Sequence, residues 1–158
     1  MADPTELLAA LQPILEHLAG LDPADPGCRD ALQASHPLDG AELEHVQSLV
    51  ELGLEEGWLC PRQGEGLRFG RLAKAGPGTH GFSIDAVDMT GPGPGHVHPQ
   101  GEFDLCFAIE GSPRFDGAAP GWTVYGPGTW HVPTVRGGRM AILYFRPGGE
   151  LRFQDQPG

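Results

Sequence analysis

The chain has 158 residues and a formal net charge of −11, and a length of this order predicts a single domain. Its 25 glycines and 16 prolines make up about a quarter of the residues, but they punctuate short apolar runs and 39% of the residues are hydrophobic, so the composition excludes a disordered chain and points to a turn-rich globular one. Residues 1–60 hold twelve Asp and Glu against the single Arg29, whereas residues 61–158 hold nine charges of each sign; this acidic end argues against nucleic acid or an anionic membrane surface as partner.

The first 57 residues read as an acidic helical segment. Asp3, Pro4 and Glu6 form an N-cap, a first-turn proline and an N3 carboxylate, and Leu7, Leu8, Leu11, Ile14, Leu15 and Leu18 follow at helical spacing until Gly20. Pro13 falls inside this pattern and predicts a kink. A short second helix is expected from Asp25 and Pro26. A third is expected from Asp39, with Glu42 as its N3 partner, carrying Leu43, Val46, Leu49 and Val50 to Gly53. The N-terminus has no basic stretch of the secretory kind, and the longest apolar run of the C-terminal half, Met140 to Phe145, is far too short for a bilayer, so the expected location is the cytoplasm.

From residue 58 to 158 the period changes to two. Strands are predicted at Leu67–Leu72, Phe82–Met89, Glu102–Ile109, Trp122–Tyr125, Trp130–Val135, Met140–Phe145 and Leu151–Phe153, separated by Gly/Pro turns, which is the pattern of a β-sandwich or small barrel. In the Glu102–Ile109 strand, Phe103, Leu105, Phe107 and Ile109 share one face, and Glu102, Asp104, Cys106 and Ala108 share the other. With Glu102 facing a barrel lumen, the large apolar residues face outward. They then need a cover, either the N-terminal helices or a second subunit, and a homodimer is the expected assembly. The cysteines Cys28, Cys60 and Cys106 are odd in number and lack CxxC spacing, against a disulfide framework or zinc knuckle. Cys106 reads as a small buried hydrophobe.

The most informative stretch is Gly95-His96-Val97-His98-Pro99-Gln100-Gly101-Glu102, followed later by Gly126-Pro127-Gly128-Thr129-Trp130-His131. Two histidines two apart on an extended segment project to one side. Glu102 returns to that side after the Pro-Gln-Gly bend, and His131 can arrive from a later strand. Imidazoles with one carboxylate suit iron, manganese, nickel, copper or zinc with positions left open. This arrangement resembles the cupin superfamily, whose first barrel motif supplies two His and a Glu and whose second supplies one His. The resemblance implies a mainly β fold, a cupin-type barrel (double-stranded β-helix or jelly roll) preceded by the helical segment. It departs at the glycine closing the first motif, Gly111, which comes later than usual and implies a longer hairpin.

Further runs cover nearly the whole chain: Glu56-Gly57-Trp58-Leu59-Cys60, Gly81-Phe82-Ser83-Ile84-Asp85, His96-Val97-His98-Pro99, Leu105-Cys106-Phe107-Ala108, Pro113-Arg114-Phe115-Asp116-Gly117, His131-Val132-Pro133-Thr134-Val135, and Gly138-Arg139-Met140 through Pro147-Gly148-Gly149. These resemble the 4-hydroxylaminobenzoate lyase family of small cupin-like proteins. The resemblance implies an enzyme of nitroaromatic degradation that converts 4-hydroxylaminobenzoate to protocatechuate with release of ammonia. A divalent transition metal held by His96, His98, Glu102 and His131 would then bind the N-hydroxyl oxygen or activate water. Glu102 would belong to the catalytic groups, and Asp104 and His80 are the candidates to shuttle protons. The carboxylate of a small aromatic substrate needs a cation, for which Arg114, Arg139 and Arg71, with Arg68, are the candidates. The metal motif alone is equally that of a cupin dioxygenase acting on a small aromatic acid, or of a cupin that binds a small ligand without chemistry.

Overall fold

The computed structural model describes residues 3–64 and 66–154. Three helices, α1 (Pro4–Ala19), α2 (Cys28–Ser35) and α3 (Ala41–Glu56), precede nine strands: β1 (Arg62–Gly64), β2 (Leu67–Ala73), β3 (Phe82–Met89), β4 (His96–His98), β5 (Glu102–Phe115), β6 (Gly121–Tyr125), β7 (Thr129–His131), β8 (Val135–Pro147) and β9 (Arg152–Phe153). All pairings are antiparallel. The strands form a six-stranded sheet in the order β1-β2-β3-β8-β5-β6 and a three-stranded sheet in the order β7-β4-β9. This is the cupin-like, mainly β architecture with N-terminal helices that the resemblance implies, and it fits the β-sandwich or small barrel that the strand pattern predicts.

Helix α1 begins as its sequence dictates. The Asp3 side chain accepts from the Glu6 amide at 3.0 Å, the helix continues through Pro13, and Gly20 caps its end. The other two helices differ from expectation at their starts. Asp25 turns back onto the Gly27 amide at 2.8 Å, so α2 starts only at Cys28. α3 starts behind Gly40, which has no side chain to cap it, and Glu42 pairs with His36 Nδ1 at 2.5 Å instead of serving as an N3 partner to Asp39. It also runs past Gly53 to a left-handed cap at Gly57. Gly53 is a packing residue: a Cβ there would lie 2.8 Å from Leu59 and 2.9 Å from the Trp58 ring.

The alternation on β5 divides the molecule into two apolar clusters. Phe103, Leu105 and Phe107, each 0% exposed, face the helices and pack with Leu11, Leu15, Val46, Val50 and Trp122. Burying each such side chain is worth roughly 1.5–3 kcal/mol, so this face alone repays docking the helices. Of the two covers expected for this face, the N-terminal helices provide one within the chain. On the opposite side, Cys106 joins Val87, Met89, Phe115, Val135, Met140, Ile142 and Tyr144 in the lumen.

β5 and β8 are much longer than the predicted Glu102–Ile109 and Met140–Phe145, and β7 ends at His131 instead of continuing to Val135. Bulges between Ala108 and Glu110 and between Gly111 and Arg114 let β5 continue past the end of its alternation, turning Phe115 into the lumen. Gly111 accordingly does not close a hairpin. It sits at φ 73° in mid-strand, where a Cβ would lie 2.8 Å from the Gly137 carbonyl and 3.2 Å from the Gly138 Cα. The chain turns only at Asp116 and Gly117, both at positive φ.

Candidate metal centre

Strand alternation and one bend set the first three candidate ligands. His96 and His98 alternate onto one face of β4, and the Gly101 and Gly128 amides both bond to the His98 carbonyl, folding the bend that starts β5 at Glu102. His131 is brought by pairing: β7 runs antiparallel to β4 with His131 in register with His96. The small sheet thus supplies three imidazoles and the large sheet the carboxylate. One ligand atom from each of His96, His98, Glu102 and His131 lies within 4.8 Å of all the others. His96, His98 and Glu102 are buried at 3%, 0% and 0% exposure.

The partners of the outer ring nitrogens fix the tautomers. His96 Nδ1 faces the Pro94 carbonyl at 3.2 Å, an acceptor only, so this nitrogen donates. Thr129 Oγ1 gives its proton to the Gly126 carbonyl at 2.6 Å and accepts from His98 Nδ1 at 3.0 Å. Asp116 Oδ2 accepts from His131 Nδ1 at 2.6 Å, and its other oxygen accepts from the Thr134 amide. Each Nε2 is left as a lone pair aimed inward, the state a metal ligand requires. His96 Nε2 and His131 Nε2 then stand 3.1 Å apart, and His98 Nε2 stands 2.8 Å from Glu102 Oε2 without a hydrogen bond between them. Buried acceptors facing one another are repulsive unless a cation lies among them, so these residues fit a divalent metal.

Electrostatics agree. Burial alone would raise the Glu102 carboxyl, but the Arg146 guanidinium beside it holds it well below the usual carboxylate range. Burial lowers His98 against the pull of Glu102, favouring the neutral ligand form. Arg146 is 4% exposed; its Nε lies 2.7 Å from Glu102 Oε1, its Nη1 donates to Asp85 at 2.7 Å, and its guanidinium stacks on Tyr144. Asp85 in turn accepts two hydrogen bonds from Arg71. Asp104 lies next along the lumen face of β5, fully buried, and burial together with the Glu102 charge raises its carboxyl well above the ordinary value.

A cavity of about 900 Å³ adjoins the cluster, with His96 in its wall beside Phe69, Tyr144 and Phe153. Arg71 and Arg146 line it. The other expected cations do not: Arg114 is exposed and donates to the Gly117 carbonyl, Arg139 is gripped by Asp88 at 2.8 and 2.9 Å and by Glu110, and Arg68 donates to the Cys60 carbonyl. His80 is exposed at φ 52° and borders a separate cleft of about 350 Å³. Cys106 packs in the lumen, and burial pushes its thiol up, as expected of a buried hydrophobe.

Sequence reasoning missed Asp116, Tyr125, Thr129 and Arg146. The Tyr125 hydroxyl donates to the same Asp116 oxygen as His131, and its ring lies 4.3 Å from that of His131, centroid to centroid. Asp116 stood in one of the recognised runs, and its neighbour Gly117 was the available sign of a strained turn holding a fixed side chain.

Two antiparallel sheets that close over three histidines and a glutamate, with a cavity at their edge, define a cupin-like protein with a candidate metal centre. A family profile described as 4-hydroxylaminobenzoate lyase (PnbB) matches residues 9–153, and the chain belongs to that family. It is 30% identical to a 4-hydroxylaminobenzoate lyase of Nocardioides sp. (strain LMS-CY), over 99% of this chain and 98% of that one. It is 29% identical to one from Pseudomonas putida, over 79% of this chain and 81% of that one. Among solved structures, the DMSP lyase DddQ of Ruegeria pomeroyi aligns over 98% of each chain with 20% identity and a TM-score of 0.48.

Proposed function

We propose that the chain converts 4-hydroxylaminobenzoate to protocatechuate and ammonia in the cavity bordered by His96. The observation that carries this reading is the convergence of four acceptors, buried at His96, His98 and Glu102 and half-buried at His131, beside that cavity, in a chain of this family. The net reaction takes up one water and releases one ammonia. The N–O bond that breaks supplies the oxidising equivalent for the new ring hydroxyl, so no external oxidant enters.

When bound at the four ligands, a divalent metal supplies Lewis acidity for the departing hydroxyl or for water. The chain's own groups prepare the site. Pro94, Thr129 and Asp116 hold the imidazoles in the required tautomer, and Arg146 holds one Glu102 oxygen so that the other faces the histidines. Phe69, Tyr144 and Phe153 offer apolar surface to an aromatic ring. Of the two groups expected to move protons, Asp104 shares the lumen face with Glu102 and His80 lies outside it, so Asp104 takes that role.

Anaerobic incubation with 4-hydroxylaminobenzoate tests the reading. Protocatechuate and ammonia in equal amounts are expected. Product only on admitting oxygen would instead identify a dioxygenase, and saturable binding without product a ligand-binding cupin.

A further inference from the structure

The cavity is cationic in a chain that is not. Against a net charge of −11, the described residues of its wall include Arg62, Arg71, Lys74 and Arg146 and, among these described residues, one carboxylate, Asp85. Arg146 is already committed, wedged between Asp85 and Glu102 at 2.7 Å from each. Arg71 is not. Asp85 accepts from its Nε at 2.8 Å and its Nη2 at 3.2 Å, which fixes the plane of the guanidinium, while Nη1 has no partner among the described residues and 48% of the side chain is exposed. Asp85 and Glu102 together balance Arg71 and Arg146, so the residual positive charge of the wall comes from Arg62 and Lys74.

We propose that Arg71, held in place by Asp85 and reinforced by Lys74, anchors the carboxylate of an aromatic acid lying in this cavity and so selects acids over neutral aromatics. The inference rests on the cavity being the substrate site and deepens that reading. An anion entering here meets a guanidinium already oriented, so little side-chain freedom is lost on binding, and a planar fork matches a carboxylate with two parallel hydrogen bonds. The residual positive charge favours an anion specifically. The aromatic and aliphatic wall takes the ring, and His96, in the same wall, brings the metal cluster to this space. Asp85 is a positioning residue, acting through Arg71.

Calorimetric titration of the full-length protein with 4-hydroxybenzoate and with neutral 4-hydroxybenzamide tests this without turnover, since neither ligand has an N–O bond to break. The wild type should bind the acid about tenfold or more tighter than the amide, as expected for charge-assisted hydrogen bonds. Arg71→Gln should weaken the acid by about the same factor and leave the amide unchanged, Arg71→Lys should recover part of the loss, and Arg114→Gln should keep the full preference. Equal affinity for both ligands in the wild type, no measurable binding of the acid, or an undiminished preference in Arg71→Gln would each overturn the assignment. If the preference and its loss hold while 4-hydroxylaminobenzoate is not converted, the proposed reaction fails and the acid site stands. Conversion with a preference that ignores Arg71 leaves the reaction and removes this site.

Discussion

His96 and His131 sit opposite each other in register on β4 and β7, and their Nε2 atoms approach to 3.1 Å with both Nδ1 protons committed elsewhere. Two lone pairs held that close by strand pairing are stable in company with a cation and costly without one. The same geometry makes the apo site a strained spot in an otherwise well-packed barrel, so metal binding should raise thermal stability as well as complete the site.

His98→Ala removes a fully buried ligand, and metal retention and turnover should fall together. The loss in metal affinity should exceed the roughly 10–100-fold typical of an outer partner. Metal analysis after dialysis, alongside a product assay, measures both; full turnover by a metal-free His98→Ala protein contradicts the site.

Asp116→Asn keeps an acceptor for His131 Nδ1 but removes the charge that strengthens it. Metal affinity should drop by about 10–100-fold, read by competition with a chromophoric chelator. Tyr125→Phe removes one donor to the same oxygen and should have a smaller effect in the same direction. An Asp116→Asn protein with wild-type affinity would show that His131 needs no such support.

These two substitutions mark how much was legible in the sequence. The first helix, the lumen and outer faces of β5, and the convergence of His96, His98, Glu102 and His131 were readable because they depend on spacing within a few residues or on a recognisable turn. Asp116 and Arg146 were not, since their roles arise from pairings that no local pattern encodes: Asp116 meets His131 across a turn, and Arg146 meets Glu102 from a neighbouring strand. The lengths of β5 and β8 escaped for a related reason. A bulge shifts the alternation by one residue, so period-two reading stops at Ile109 while the ladder continues to Phe115. The α2 and α3 starts misled because Asp25 and Glu42 have better partners than a helix terminus.

Phe107→Ala removes a fully buried ring from the face shared with α1 and α3. Chemical denaturation should show a loss of about 3–5 kcal/mol, with metal content of the folded protein unchanged. A loss below about 1 kcal/mol would mean that the helices do not seal this face as tightly as the packing indicates.

The thiols should be silent in the native protein. Cys28, Cys60 and Cys106 are free and buried, and burial, aided by the Asp88 charge, pushes Cys60 up to about 12, so at pH 8 it carries almost no thiolate. Labelling with a thiol-specific disulfide reagent should be slow in buffer and reach three groups per chain in denaturant. Cys106→Ala should leave turnover largely intact; its abolition would put a nucleophile in the lumen.

The most direct measurement combines metal and chemistry. Protein stripped with chelator is titrated anaerobically with each of the candidate divalent metals, and the rate of protocatechuate formation is followed at every addition. The rate should rise from near zero and break at one metal per chain for at least one of them, with His98→Ala failing to respond. Full activity in the stripped protein, or no dependence on any metal, would contradict the assignment of His96, His98, Glu102 and His131 as the centre on which the reaction depends.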